Sequence, residues 1–348
     1  MQTQLNNILK QKGFLQLTRE NEQSIEKQPP ITTTKNTSIQ LLDTGVLLVE
    51  PSDYNGTDLV ISSGVHGNET APIEIVDKLV EKIINEKLTV SSRVLFIIGN
   101  PVAMNQSQRF DVENMNRLFN GKHQDKDHHE AKRAERLEHY VSEFYNTRAS
   151  SESVSGTDSV ARLHYDLHTA IRPSKYKKFA IYPFPDGKPW DKSQLEFFLS
   201  SDINTILLGH QPAGTFSYFT SHQFNAHGFT VELGKVKPFG ENDPQDFTHI
   251  TRNLERLIEG KPVDRKTFDN QDFNLFQVKH ELLKQSESFK LNISQDVENF
   301  TSFEQGYQLT DDADGGYQVE ATGEAIVFPN ENVPVGQRAG LVVVKTRL

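Results

Sequence analysis

Three short segments of the chain carry side chains that can bind a metal ion or move a proton. They contain His66 and Glu69, Asp166 and His168, and Glu232, and each segment lies at or beside the end of an apolar run. Two imidazoles and one carboxylate, with a fourth position left to water, form the ligand set of many catalytic zinc sites. The sequence therefore predicts a metal site built from His66, Glu69 and His168, with Glu232 as the general base that acts on a metal-bound water.

Each segment also has a simpler interpretation when it is taken alone. A His and a Glu three residues apart occur often by chance, and an acid such as Glu69 at the start of a helix is favourable to the helix dipole. Glu232 lies in an otherwise apolar run, where a carboxylate is costly unless it is paired or functional. An ion pair with Lys235 or Lys237 would satisfy it. The agreement of the three segments favours the metal site over these separate explanations.

Two further polar residues lie just before His168. In a strand, residues 164, 166 and 168 share one face. Asp166 therefore either fixes the tautomer of a histidine ligand or is simply a buried, hydrogen-bonded acid. His164 is interpreted as a histidine of the core or of the sheet face rather than as a ligand.

Arg109, Asn116 and Arg117 lie in a stretch with little periodicity after the next apolar run. A guanidinium can bind a carboxylate through two parallel hydrogen bonds, and an asparagine adds a donor. Arginines in such a stretch are ordinarily solvent-exposed side chains without a ligand. This stretch, however, follows a strand of the same βαβ unit as His66. We therefore interpret the three residues as a binding site for a carboxylate.

The apolar runs that precede these residues predict an α/β domain. A strand over 59–67, a helical period over 73–84 and a strand over 92–101 form a βαβ unit, which normally gives a parallel sheet buried on both faces. Ligand sites in such sheets lie beyond the carboxyl ends of the strands. Further strands are predicted over 161–170, 178–184, 205–210 and 228–234, and further helices over 3–28, 122–148, 193–200 and 243–260.

The pattern of the sequence changes near residue 260. Residues 268–348 alternate short apolar runs with Gly, Pro and Asp turns, which is typical of a small all-β unit. We therefore predict an α/β catalytic domain over 1–260 and a small β-rich domain over 261–348. The stretch 147–158, rich in Ser, Glu and Gly, is predicted to be a loop of the first domain.

The composition limits the classes of function. The 348 residues include 37 Lys and Arg, 47 Asp and Glu and no cysteine, and the formal net charge is −10. Thiol chemistry, disulfides and thiolate zinc sites are therefore excluded. Basic residues dispersed among acidic ones argue against nucleic acid or an anionic membrane as a partner. The N-terminus lacks the apolar core of a secretory signal and no apolar run is long enough to span a bilayer, so we expect a cytoplasmic protein of undetermined oligomeric state.

Several motifs occur in the chain in one order that matches a known family. They are His66-Gly67-Asn68-Glu69, Asn100-Pro101, Arg109, Asn116-Arg117-Leu118-Phe119, Asp166-Leu167-His168-Thr169 and Glu232. In order and approximate spacing they resemble the succinylglutamate desuccinylase/aspartoacylase family, a branch of the zinc carboxypeptidase-like fold. The resemblance implies an α/β architecture with a mixed, largely parallel sheet flanked by helices and a small C-terminal all-β domain.

The resemblance also implies a role for the residues of the predicted metal site. His66, Glu69 and His168 would bind one Zn²⁺ per chain, and Glu232 would be the catalytic acid and base. Arg109 would polarise the carbonyl group of the bond that is cleaved.

The substrate implied by the resemblance is N2-succinyl-L-glutamate, a small anion that is hydrolysed to succinate and L-glutamate in the last step of arginine breakdown by the succinyltransferase route. The segments 205–214 and 231–240 resemble this branch of the family most closely. Asn116 and Arg117 would clamp the α-carboxylate of the departing glutamate, and the basic segment 172–178 could supply contacts to the other carboxylates. Two alternatives stay open: a deacylase of another N-acyl amino acid, and a binding protein without catalytic activity.

Overall fold

The chain forms one large β-sheet with helices packed against it. The computed structural model describes residues 2–149, 160–313 and 315–348. The helices assigned among these residues are α1 (Gln2–Glu20), α2 (Thr70–Ile84), α3 (Pro101–Asn105), α4 (His129–Ala149), α5 (Lys192–Ser200), α6 (Phe216–Phe224) and α7 (Thr248–Ile258).

The strands alternate with the helices in the first part of the chain and follow one another in the last part. They are β1 (Ile31–Thr32), β2 (Ser38–Asp43), β3 (Val46–Glu50), β4 (Thr57–Ser63), β5 (Arg93–Ile98), β6 (Ala161–Ala170), β7 (Phe179–Tyr182), β8 (Thr205–Leu208), β9 (His227–Lys235), β10 (Asn274–Leu283), β11 (Lys290–Leu291), β12 (Thr301–Phe303), β13 (Thr310–Asp311), β14 (Glu324–Val327) and β15 (Arg338–Lys345).

The large sheet has thirteen strands in the order β1-β2-β3-β5-β4-β6-β9-β7-β8-β10-β15-β14-β12. Its centre, β5-β4-β6-β9, is parallel, as is the group β7-β8-β10. The other pairs are antiparallel. The sheet is therefore mixed, and the largely parallel sheet expected from the sequence describes its centre. Parallel neighbours need a crossover connection, which α2 supplies between β4 and β5, whereas hairpins such as β2–β3 must be antiparallel.

The three segments with candidate metal ligands and the general base lie on neighbouring strands or directly after them. In the register of the sheet, Ser62 of β4 pairs with Asp166 of β6, and His168 of β6 pairs with Glu232 of β9. These strands are buried almost throughout because helices cover both faces. Parallel strands that end together thus bring their polar residues to one edge, as expected.

Two apolar cores lie on opposite faces of the sheet. Alternate residues of β3 show this division, since Leu47 and Val49 belong to one core and Val46 to the other. The first core includes apolar residues of α1, α2, α5 and α7, and the second includes those of α4 and α6. Successive side chains of a strand point to opposite faces of the sheet. Because both faces are covered, the strand must be apolar on both of them.

Several elements differ in extent from the sequence expectations. The helix predicted over 122–148 begins only at His129, and α6 was not predicted. α1 is interrupted at Gly13, whose positive φ of 78° is incompatible with a regular helix. Most of the loop predicted over 147–158 lies outside the described residues. Across the ranges that the structure describes, no helix combines the length and the apolar composition that a bilayer crossing requires.

The residues after 260 contribute β10 to β15, and most of these strands extend the same sheet. β10 pairs in parallel with β8 over four residues and antiparallel with β15. A shared apolar cluster joins the two parts of the chain and includes Phe179 and Leu207 on one side and Phe276 and Val343 on the other. The domain boundary at 260 stays a prediction, but the contact across it is a continuous ladder of backbone hydrogen bonds.

Candidate metal centre and active site

His66, Glu69 and His168 form a buried cluster with the composition of a metal site. His66 follows β4, Glu69 occupies the N-cap position of α2, and His168 lies near the end of β6. Their side chains offer ligand atoms that all lie within 4.8 Å of one another. The three residues are at most 2% exposed. Burying a carboxylate and two imidazoles is costly unless they are paired or bind a cation, so this arrangement needs an explanation.

Both imidazoles present the same nitrogen to the shared carboxylate. Nδ1 of His66 lies 2.8 Å from one oxygen of Glu69, and Nδ1 of His168 lies 2.9 Å from the other. Their Nε2 atoms bind outer partners, namely Asn114 Oδ1 at 2.9 Å and Asp166 Oδ2 at 2.8 Å. An Nε2–H that donates outward leaves Nδ1 as the ligand atom. The ring orientation thus fits a cation between the two Nδ1 atoms and Glu69.

Asn114 was not identified from the sequence. It caps the short 3-10 helix Met115–Arg117 by accepting a hydrogen bond from the Asn116 backbone, 3.0 Å away, and its side chain also binds His66. Asparagine is a preferred residue directly before the start of a helix, so the capping role of Asn114 has a local signal in the sequence. The contact with His66 depends on the fold, since 48 residues separate the two.

Asp166 and His164 belong to one buried hydrogen-bond network. Ser62 Oγ lies 2.5 Å from Asp166 Oδ1 and 2.7 Å from His164 Nε2, while His164 Nδ1 lies 2.9 Å from the Thr220 hydroxyl. Asp166 therefore contacts a candidate ligand directly. His164 contacts none of them by a hydrogen bond described in the structure and has the surroundings of a core histidine, with partners on both ring nitrogens.

The donor set fits a divalent cation. Nδ1 of His66 is buried and, although close to Glu69, makes no hydrogen bond. Burial, with the charge of Arg109, lowers the pKa of His66 to about 4, so this imidazole is neutral and can donate its lone pair. The charges of His168 and Arg109, together with the hydrogen bond from His168, outweigh burial and hold the pKa of Glu69 well below its usual range. One neutral imidazole and one ionised carboxylate in a buried cluster are the form in which these groups bind Zn²⁺.

Glu232 lies beside this cluster with one carboxylate oxygen free. Its Oε2 is buried and makes no hydrogen bond among the described residues. Burial, reinforced by the negative charge of Glu69, raises the pKa of Glu232 to about 7. The ion pairs with Lys235 or Lys237 considered from the sequence do not occur in the structure as described. A buried carboxyl group that titrates near neutral pH and has an unused oxygen is suited to proton transfer.

Arg109 reaches the cluster from the stretch that follows α3. Its Nη1 lies 2.6 Å from Oε1 of Glu69, and its backbone oxygen accepts a hydrogen bond from the Gly67 N–H. The guanidinium is partly exposed, at 29% of the side chain. It therefore stands at the border of the buried cluster, with donors left for a ligand.

Gly67 is required where α3 approaches the cluster of His66, Glu69 and His168. A Cβ atom at this position would lie only 2.1 Å from the Met104 nitrogen and 2.2 Å from the Ala103 carbonyl carbon. Only glycine lets the backbone between His66 and Glu69 pack this closely against α3.

Asn116 and Arg117 lie in the short 3-10 helix next to Asn114. Asn116 Oδ1 accepts a hydrogen bond from the Phe216 backbone N–H at the start of α6. The side-chain nitrogen of Asn116 takes no part in this hydrogen bond. Arg117 remains open to solvent on part of its surface. Removal from bulk water and the like charges of Arg338 and Arg109 lower the pKa of Arg117 to about 9. The positive charges of neighbouring arginines repel one another, and an anion bound between them relieves this repulsion.

Comparisons with known proteins identify the family of the chain. Residues 55–258 match the model of the succinylglutamate desuccinylase/aspartoacylase catalytic domain, and residues 271–346 match the AstE/AspA barrel-sandwich hybrid domain. The chain is 44% identical to a protein of Pseudoalteromonas atlantica named succinylglutamate desuccinylase, over 98% of this chain and 96% of that protein.

Solved structures show the same fold. The crystal structure of the succinylglutamate desuccinylase from Chromobacterium violaceum has a TM-score of 0.82 and 38% identity, and it covers 97% of this chain and 98% of its own. The corresponding protein from Vibrio cholerae has a TM-score of 0.86 at 32% identity, over 96% and 95% of the two chains. The structural match therefore spans both the mixed α/β part and the C-terminal part of this chain.

Proposed function

We propose that the chain, which belongs to the succinylglutamate desuccinylase/aspartoacylase family, hydrolyses the amide bond of N2-succinyl-L-glutamate with the help of one Zn²⁺. The observation that carries this proposal is the buried cluster of His66, Glu69 and His168 with Glu232 beside it. The zinc carboxypeptidase-like character of the fold and the cytoplasmic location expected from the sequence are parts of the same proposal.

Nδ1 of His66, Nδ1 of His168 and the carboxylate of Glu69 would hold the ion. When bound, Zn²⁺ lowers the pKa of a water molecule and stabilises negative charge on the carbonyl oxygen of the substrate. Asp166 and Asn114 orient the two imidazoles through their Nε2 atoms.

Glu232 carries the proton. With a pKa near 7, its free oxygen accepts a proton from the attacking water as oxygen bonds to the amide carbon. The same carboxyl group then gives the proton to the leaving nitrogen, so that the C–N bond breaks and succinate and glutamate are released. Because burial raises the basicity of this carboxylate, it accepts the proton more readily than an exposed glutamate does.

The arginines bind the substrate at its charged groups. Arg109 donates to the carbonyl oxygen, where negative charge grows during the attack, so its contribution is larger in the transition state than in the ground state. Arg117 and the amide nitrogen of Asn116 hold the α-carboxylate. This contact fixes the distance between the amide carbon and Glu232 and thereby reduces the entropic part of the barrier.

The direct test is hydrolysis of N2-succinyl-L-glutamate by the zinc-loaded protein, with N-acetyl-L-aspartate as the comparison substrate. We expect turnover of the succinyl compound and much slower turnover of the acetyl compound. The reverse preference would identify a deacylase of the other type, and no turnover of either compound would refute amide hydrolysis.

Glu232→Gln keeps the shape of the side chain and removes the base. We expect kcat to fall by about 10²- to 10⁴-fold, the usual contribution of a general base, while one zinc ion per chain remains bound. Glu143→Gln, which removes an exposed carboxylate on α4, is the matched control and should retain wild-type turnover. Undiminished activity of Glu232→Gln would remove this residue from the mechanism.

A further inference from the structure

A basic cavity of about 200 Å³ opens beyond the ends of β6 and β9. Its lining residues are Ala170, Arg172, Pro173, Ser174, Lys177, Gly234 and Lys235. Three of these seven residues are cationic, and none is anionic. No residue proposed above to bind the metal, move the proton or clamp the α-carboxylate lines it.

The cavity lies at a defined distance from the candidate active site. Ala170 and Gly234 are two positions beyond His168 and Glu232, the residues paired across β6 and β9. Two residues of a strand correspond to about 7 Å. The extended succinyl group spans about 4 Å from its amide carbon to its terminal carboxylate carbon, and a hydrogen bond adds about 3 Å. The reach of the acyl group therefore matches the distance to the cavity.

The cations of the cavity differ in how far they are already neutralised. Lys177 forms an ion pair with Asp246 at 2.7 Å, and its side chain lies over Gly234. Arg172 donates from Nη1 to the backbone oxygen of Gln295, which leaves its other donors for a ligand.

Lys235 is exposed and makes no ion pair or hydrogen bond from its side chain in the part of the chain that the structure describes. Glu331 and Asp296 add negative charge around Arg172, but neither forms an ion pair with it among the described residues. Arg172 and Lys235 are thus the two cations with donors to spare.

Ser174 adds a neutral residue to the lining of the cavity. Its hydroxyl oxygen is inaccessible to solvent and makes no hydrogen bond among the described residues. The free donors that face a ligand therefore belong to Arg172 and Lys235.

The C-terminal part of the chain fixes the wall of this cavity. The Lys175 N–H donates to the Asn299 oxygen at 3.1 Å, and the Asn299 N–H donates to the Pro173 oxygen at 2.9 Å. Asn299 is 1% exposed and also accepts a hydrogen bond from the Phe328 backbone through its side chain. The segment that carries Arg172 and Ser174 is therefore held in place before any ligand binds, which reduces the entropic cost of binding.

We propose that this cavity binds the terminal carboxylate of the acyl group through Arg172 and Lys235, and so selects dicarboxylic acyl chains. The inference rests on the proposed hydrolysis of N2-succinyl-L-glutamate and adds the recognition of its acyl end. An acetyl or butyryl group has no charge to place there, so it leaves the free donors of Arg172 and Lys235 without an anionic partner.

The test pairs variants with substrates that differ by one carboxylate. Arg172→Gln and Lys235→Gln are compared with wild type on N2-succinyl-L-glutamate and on N2-butyryl-L-glutamate, in which a methyl group replaces the terminal carboxylate. We expect kcat/KM for the succinyl substrate to fall about tenfold or more in each variant, as for loss of one charge-assisted hydrogen bond, and the fall to be confined to that substrate. Lys87→Gln removes an exposed lysine that follows α2 and does not line the cavity, and it is the matched control.

A third substrate distinguishes a contact with the succinyl carboxylate from a contact with the side-chain carboxylate of glutamate. N2-succinyl-L-norvaline lacks the side-chain carboxylate of glutamate but keeps the succinyl group, so both variants should lose activity on it as they do on the full substrate. Equal losses on succinyl and butyryl substrates, losses that follow the glutamate carboxylate instead, or losses no larger than that of Lys87→Gln would each overturn the assignment.

Binding of the product separates this inference from the proposed reaction. Wild-type protein should bind succinate more tightly than butyrate by calorimetry, and Lys235→Gln should lose most of that difference. Lys235 is exposed, so its replacement leaves the fold intact even where Arg172→Gln fails to fold. If wild type hydrolyses none of the substrates but still prefers succinate, the reaction is wrong and the cavity assignment stands; if succinate and butyrate bind equally, the cavity assignment is wrong.

Discussion

Replacement of Asp166 by asparagine tests the proposed metal centre through a residue that does not itself bind the ion. Asp166 accepts the Nε2–H of His168 at 2.8 Å, and both side chains are at most 1% exposed. The variant keeps the size of the side chain and removes its charge. We expect zinc to bind more weakly to Asp166→Asn, because His168 becomes a poorer and less firmly oriented ligand.

The magnitude follows from the burial of this contact. A hydrogen bond to a charged group contributes about 1.5–3 kcal/mol, and about 1.4 kcal/mol corresponds to a factor of ten. Loss of an outer partner of a zinc-bound histidine usually costs 10- to 100-fold in affinity. Since asparagine keeps a carbonyl oxygen that can accept the same hydrogen, we expect a loss of about 10- to 100-fold rather than loss of binding.

The assay is competition for Zn²⁺ between the folded protein and a chelator of known affinity at constant pH. Urea unfolding with excess chelator checks separately that the metal-free variant is folded. Thr220→Val is the control, because Thr220 binds His164 in the same network and does not contact a candidate ligand. An affinity of Asp166→Asn within about twofold of wild type would refute the role of Asp166 in orienting His168.

Three further predictions concern stability. Arg93→Met should reduce the free energy of unfolding by about 3–5 kcal/mol, because it removes the buried ion pair between the Arg93 guanidinium and Asp58, whose atoms lie 3.0 Å apart. Urea titration measures this, and a loss no larger than that of a surface variant would contradict it. Gly67→Ala should cost about 1–3 kcal/mol through the clash of the new Cβ with the Met104 nitrogen, and zinc affinity should fall with it; a melting temperature and zinc affinity equal to wild type would show that α3 shifts freely. Burial raises the pKa of Asp77 despite the Leu15 N–H that it accepts, so the neutral form stabilises the fold below about pH 4 and this stabilisation is lost as the pH rises through the folded-state pKa. Asp77→Asn should therefore gain stability relative to wild type between pH 4 and 7, whereas a difference that shrinks with rising pH would reverse the sign of the argument.

The sequence predicts the central strands well because their signals are local. β4, β6 and β9 are short apolar runs that end in polar residues, and a buried parallel strand needs that pattern. The convergence of His66, Glu69 and His168 follows from the same rule, since strand ends that share an edge bring their next residues together.

Features that depend on distant parts of the chain could not be predicted in this way. α6 has apolar and polar residues in no clear helical period, and the signals for its ends are the cap at Thr215 and the left-handed Asn225. The contact between Asn114 and His66 joins two loops whose relative position only the folded sheet determines. The cavity at Arg172 likewise requires Asn299, more than a hundred residues later in the chain, to fix its wall.

The parallel pairing of β10 with β8 has a consequence for how the chain matures. While the protein is being synthesised, the first 260 residues emerge before β10 exists, so the backbone groups of Thr205–Leu208 on that side have no strand to bind. Such an open edge with apolar side chains favours pairing with other chains. We therefore expect the later strands to protect the nascent molecule from aggregation, and truncation near residue 260 to remove that protection together with the wall of the cavity at Arg172.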